Sequence, residues 1–187
     1  MSTDLPTPGQ TVGPFLSLGL AWEGGEYVAD PGTPDAFWIR GRLLDGEGEP
    51  VPDGLIETWQ ADPAGRFDHP DDPRGAVRTP GFRGLGRTCT DSDGRWGVHT
   101  VRPGAVPGDG DQPQAPHLDV SVFARGLLHR LVTRIYLGDE GDANAADPVL
   151  RGLDADARAT LIAAPDGDGY RHDIVLQGEG ETVFFRV

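Results

Sequence analysis

The chain has 187 residues, enough for one domain with a substantial core. Thirty acidic side chains against sixteen basic ones give a formal charge of -14, which argues against non-specific binding to nucleic acid or to an anionic membrane. Glycine at 28 and proline at 17, with 37% hydrophobic residues, favour turns and short strands over long helices, and these residues fall between apolar runs, as a folded chain requires.

A single cysteine, Cys89, cannot form an internal disulfide, and the sequence shows neither a secretory signal pattern nor an apolar run of membrane-spanning length. A reducing, cytoplasmic setting is expected.

Thr7 to Phe15, TPGQTVGPF, is too rich in Pro and Gly to fold alone and is expected as an extended arm or ordered loop, with Val12, Pro14, Phe15, Leu16 and Leu18 available for burial. Residues 1-34 are assigned to this arm and the loop after it, and 35-187 to a single β-sandwich domain. Phe37 to Leu44 and Leu55 to Trp59 read as two strands of a hairpin-like unit broken at Asp45-Gly46-Glu47-Gly48-Glu49. A second such unit begins at Gly86 and turns at Asp91-Ser92-Asp93-Gly94, where Asp can bond its own backbone and Gly accepts positive φ. The same four residues resemble the start of a calcium loop, but the later oxygen ligands are missing. Asp62 to Gly84 and Pro103 to Pro116 read as long loops, the first with Phe67 and Phe82 as anchors.

From His117 the pattern has period two. Leu118, Val120 and Val122 alternate with Asp119, Ser121 and Phe123, and Leu131, Thr133, Ile135 and Leu137 alternate with Val132, Arg134 and Tyr136. A brief helix over Asp154 to Ala159 is followed by short strands near Thr160 to Ala163, Tyr170 to Leu176 and Thr182 to Val187. The expected class is all-β, a mixed β-sandwich core with long loops and an extended N-terminal arm.

His117 and Asp119 stand two apart on one strand and share a face, a spacing that suits two metal ligands. A secure site needs a third ligand from elsewhere, and no specific motif supplies it, so a hydrogen-bonded pair or two surface residues is the expected reading. His69, His99, His129 and His172 are scattered. Arg134 lies between Val132 and Tyr136 on one strand face, where its guanidinium can receive a carboxylate in two hydrogen bonds or form a structural ion pair; Arg125 and Arg130 are less constrained alternatives.

Five segments in order, TVGPF at Thr11, GEPVPDGLIETWQAD at Gly48, GRTCTDSDGRWGVHTVRPG at Gly86, QAPHLDVSVFARGLL at Gln114 and ETVFFRV at Glu181, resemble the intradiol ring-cleaving dioxygenases, specifically the two-chain members that act on protocatechuate. The resemblance spans nearly the whole chain. It implies iron(III) held by two tyrosines and two histidines of a homologous catalytic beta subunit, within a larger hetero-oligomer. Against that pattern His117 takes the first histidine position, Asp119 replaces the second, Val106 stands at one tyrosine position, and the loop from Asp68 to Thr79 contains no tyrosine for the other. Gln114 stands where a catalytic chain has an arginine.

The resemblance therefore implies that this chain holds no iron and has no catalytic residue of its own. It implies instead that Thr11, Gly13 and Pro14 of the arm, and Arg134, line a pocket shared with the partner, where protocatechuate and O2 react to give 3-carboxy-cis,cis-muconate. Two other readings stay open at this point: a purely structural sandwich subunit, and an independent metal enzyme built on His117 and Asp119.

Overall fold

The computed structural model describes residues 8-13, 15-108 and 112-186. A short helix, α1 (Phe15–Leu20), precedes four strands, β1 (Phe37–Leu44), β2 (Leu55–Gln60), β3 (Leu85–Cys89) and β4 (Arg95–Thr100). A small ribbon, β5 (Val106–Pro107) with β6 (Pro113–Gln114), leads into β7 (His117–Phe123) and β8 (Leu131–Leu137). Three short helices, α2 (Gly141–Ala146), α3 (Pro148–Arg151) and α4 (Ala155–Ala159), then precede β9 (Ile162–Asp166), β10 (Gly169–Arg171) and β11 (Ile174–Val175). Among the described residues no helix is long and apolar enough to cross a membrane.

The strands form one continuous mixed sheet in the order β11-β1-β10-β9-β8-β7-β2-β3, with β4 on β1. The sheet curls so that the β4-β1-β10 region faces the β3-β2-β7-β8 region across a shared core, which gives the expected all-β class. Period-two burial makes this possible. Ile39 and Leu43 of β1 meet Ile56, Leu118, Val120, Val122 and Ile135 in one apolar cluster, while the alternate residues face out.

Three strand expectations are corrected. Phe37 to Leu44 and Leu55 to Trp59 do not form a hairpin: β1 pairs with β4, β10 and β11, whereas β2 pairs with β3 and β7. The chain does reverse after β1, since Asp45 Oδ1 accepts from the amides of Glu47 and Glu49 at 2.9 Å. Pairing then stops after the single bridge Leu44–Pro50, because Pro50 and Pro52 have no N–H to continue a ladder. The turn Asp91-Ser92-Asp93-Gly94 is present, with Asp91 Oδ1 accepting from Asp93 and Arg95 amides, yet it links strands in opposite layers. Thr182 to Val187 makes only the bridge Val132–Phe185 among the described residues.

The arm also departs from expectation. Phe15 to Leu20 is helical, and Phe15 and Leu18 are each 76% exposed, with Val12 and Leu20 partly exposed too. The arm is tethered by its far end: Arg87 lies over the Trp22 ring at 4.4 Å, donates to the Leu20 carbonyl at 2.9 Å and to Glu57 at 2.6 Å.

His172 follows β10, is 4% exposed, and its Nε2 has no hydrogen-bond partner among the described residues. Burial holds its pKa at about 4. The unfolded chain takes up this proton below about 6.5 and the folded chain does not, so the stability it confers is present above pH 6.5 and is lost as pH falls towards 4. Over that window the loss is about 3 kcal/mol. Denaturant titrations of the parent chain and His172→Leu across pH 4 to 7 should show the slope with pH reduced in the variant.

Candidate functional site

β7 places His117 and Asp119 on one face, and the register with β8 sets Tyr136 opposite His117 and Arg134 opposite Asp119. Arg134 Nε donates to Asp119 Oδ1 at 2.9 Å, and Nη1 donates to Gln114 Oε1 at 2.6 Å and to Tyr136 Oη at 3.3 Å. Among the described residues the Nη2 hydrogens make no hydrogen bond. His117 is buried, and its Nδ1 donates to the Ala115 carbonyl at 2.7 Å. Its Nε2, which then carries the lone pair, lies 3.7 Å from Asp119 Oδ1. Burial first, then the Arg134 guanidinium, push the imidazole below its ordinary range and keep it neutral.

Behind this face lies Asp147, fully buried. Its Oδ2 accepts from the Ala115 amide at 2.8 Å, and its Oδ1 from the Val149 and Leu150 amides at 2.9 and 3.0 Å and from Tyr136 Oη at 3.3 Å. One carboxylate thus caps α3 and fixes the strand end from which His117 projects. The sequence does carry a signal for the cap, since Asp147-Pro148 is an N-cap followed by proline at the first helical position. Its link to Ala115, 32 residues away, has no local signature.

The other wall comes from the loop after β2. The buried Asp62 carboxylate accepts from the amides of Ala64 and Arg66 at 2.9 Å and Arg78 at 3.3 Å. Asp72 takes the Phe67 amide at 2.7 Å and Arg74 Nη2 at 2.7 Å, and the Phe67 ring stacks on Trp59. The result is a pocket of about 380 Å³ lined by Phe67, Arg74, Val106, Gln114, His117, Asp119 and Arg134. Sequence reasoning anticipated Phe67 as an anchor but missed Arg74.

The structure brings His117, Asp119 and Val106 together, the three positions that the resemblance sets at iron-ligand places. These residues do not fit ferric iron. Val106 has no donor atom, Asp119 is engaged by Arg134, and the adjacent Tyr136 is pushed by burial up to about 12, which keeps its phenol protonated. A guanidinium beside the same atoms repels a metal cation by about 4 kcal/mol per unit charge at 4 Å and an intermediate effective dielectric. Among the described residues no group of three or more His, Cys, Asp or Glu side chains could hold a metal. Among the described residues, an independent metal site on His117 and Asp119 has no third ligand.

Thr11 and Gly13 lie elsewhere. Thr11 Oγ1 accepts from the Gly126 amide at 2.8 Å, in the turn between β7 and β8. The stretch of β7 from Asp119 to Phe123, roughly 13 Å, separates that turn from Arg134. Gly13 has φ +73° and nothing within 4 Å of the position a Cβ would take, so its backbone conformation, not space within the chain, calls for glycine. Pro14 lies outside the described residues. Arg125 pairs with Asp53 across the surface.

The curled mixed sheet belongs to a known class of fold. A family model described as Dioxygenase matches residues 23–178, and the chain belongs to the intradiol dioxygenase family. It is 41% identical to the protocatechuate 3,4-dioxygenase alpha chain of Pseudomonas putida over 96% of this chain and 95% of that one. It is also 40% identical to the protocatechuate 3,4-dioxygenase beta chain of Burkholderia cepacia, over 77% of this chain and 65% of that one. Among solved structures, the dioxygenase domain of a dioxygenase and carbohydrate-binding protein fusion from Streptomyces sp. SirexAA-E is 25% identical with a TM-score of 0.59, covering 92% of this chain and 99% of that domain.

Proposed function

We propose that this chain is the non-iron-binding subunit of a two-chain dioxygenase that cleaves protocatechuate with O2 to 3-carboxy-cis,cis-muconate. The iron(III) belongs to a homologous beta-type partner, and this chain alone is inactive. The observation that carries the reading is the Arg134–Asp119 ion pair beside His117, where a ligand set would have to stand. Similarity over full length to an alpha chain, and over a shorter stretch to a beta chain, supports the pairing.

In this account the chain binds and positions. The Nη2 hydrogens of Arg134 face the substrate carboxylate, a contact that distinguishes a carboxylated catechol from catechol. Thr11, Gly13 and Pro14 form a second edge of the shared pocket, which must reach both places. The exposed Phe15 and Leu18 lie beside that edge and are apolar surface for a partner to cover.

A specific observation favours a second reading, a structural subunit only: Nε and Nη1 of Arg134 are already satisfied inside the chain. Coexpression with a beta-type partner, with and without residues 1-20 of this chain, separates the two. The proposal expects turnover from the intact pair, none from this chain alone, and a raised KM per assembled pair when the arm is missing. Unchanged KM in an assembled armless pair supports the structural reading, and turnover by this chain alone contradicts both.

A further inference from the structure

All sixteen basic residues of the chain are arginines, and four of them converge on the outer face of the β4-β1-β10 region, the layer opposite the His117 pocket. Arg40 and Arg42 are two apart on β1 and both point outward, since Ile39 and Leu43 point into the core. The register sets Arg171 beside Arg40 and Arg95 beside Arg42. Like charges directly across a ladder are unfavourable, and a chain with thirty acids has ample means to avoid them. Here two such pairs adjoin and line a cleft of about 320 Å³ together with Asp166 and Asp173.

The arrangement is built, not incidental to a solvated face. Gly41 is the residue between the two β1 arginines, and a Cβ there would stand 1.6 Å from the His172 carbonyl oxygen, so the chain after β10 presses onto β1 at this point. That contact brings Asp173 onto Arg42, whose amide and Nη2 donate to it at 2.9 and 3.0 Å. Arg171 Nη2 reaches the same carboxylate at 3.3 Å, and one aspartate thus aligns two guanidinium groups. Arg42 Nε is buried without a partner among the described residues. Arg40 makes no ion pair among the described residues; its guanidinium lies over the Trp38 ring at 4.7 Å, which orients it without neutralising it. Gly97, opposite Arg40, contributes no side chain, and the Arg40 stem and the Trp38 ring pack over it, each 3.5 Å from where a Cβ would stand. Arg95 is held at the rim by Asp93. Within the cleft, four positive groups face two negative ones.

We propose that this cleft binds a small oxyanion carrying two or more negative charges, a polycarboxylate or a phosphate, through Arg40, Arg42 and Arg171 with Arg95 at its edge. Planar guanidinium groups on adjacent strands match the oxygens of either ligand. The inference stands on this face alone and is independent of the subunit role argued above.

Calorimetric titration of the full-length chain at low ionic strength, with tricarballylate and with inorganic phosphate in separate arms, tests it. Saturable binding at one site is expected from at least one anion, and the tighter arm identifies the source. Arg40→Gln with Arg171→Gln should weaken binding by about tenfold or more, whereas Arg151→Gln, which removes an exposed charge on α3, should change it less than about twofold. In the unaltered chain the same anion should shift tryptophan emission with the same midpoint, and Trp38→Phe should abolish that shift. Absence of saturable binding by both anions overturns the proposal, as does equal weakening by Arg151→Gln.

Discussion

Alanine at Asp147 is expected to destabilise the chain by about 4 kcal/mol or more, the largest effect of any single change near the pocket, because several buried donors lose one acceptor together. The amides of Ala115, Val149 and Leu150 and the Tyr136 hydroxyl all turn to this carboxylate. For a domain of this size that loss lowers Tm by roughly 10 °C. Asp147→Asn keeps one oxygen and should fall between. Asp154, which caps α4 through the Ala157 amide alone, provides the contrast: Asp154→Ala should cost about 1 kcal/mol. Thermal and denaturant unfolding of the three variants checks the order, and an Asp147→Ala loss no larger than that of Asp154→Ala would remove Asp147 from its place as the organiser of the pocket.

In the assembled pair, Arg134→Ala should weaken protocatechuate binding by about two to three orders of magnitude, the usual consequence of removing one partner from a desolvated charge pair. The turnover number should change much less, since the guanidinium touches no bond that breaks. Arg134→Lys keeps the charge without the planar fork and should recover part of the affinity. Asp119→Asn weakens the internal ion pair while leaving the guanidinium in place, and affinity should be held or improved. If Arg134 is purely structural, all three changes move stability and leave KM where it was, so steady-state kinetics on the pair decide between the readings.

The parts of this account legible in the sequence are those in which one face of one element carries the pattern. Alternation from His117 to Phe123 and from Leu131 to Leu137 placed β7 and β8 and predicted that His117 and Asp119 share a face, as do Arg134 and Tyr136. The turn at Asp91-Gly94 and the brief helix beginning at Asp154 were legible because the residues that signal each lie within a few positions of one another. The layer assignment of β1 and β2 was not: both strands have an inward apolar face, and alternation cannot say which strand each one pairs with. Two prolines, Pro50 and Pro52, were the available warning that the ladder between them could not continue.

The site was legible in its individual residues and not in their coupling. That Arg134 meets Asp119 depends on the β7-β8 register, and that Gln114 accepts from Arg134 depends on the ribbon of β5 and β6 returning to the same place. The apolar residues of the arm were expected to find burial, and the chain leaves Phe15 and Leu18 exposed. Period and composition describe one chain, whereas the surface that covers these residues in the proposed assembly belongs to another.

Whether this chain's own residues hold iron is tested most directly by metal analysis. The chain purified alone, then loaded with iron and passed through a desalting column, is compared with the coexpressed pair treated in the same way. The account predicts about one iron for each pair and only trace metal on the chain alone, with His117→Ala leaving the iron content of the pair unchanged. Stoichiometric iron on the isolated chain, lost in His117→Ala, would contradict it.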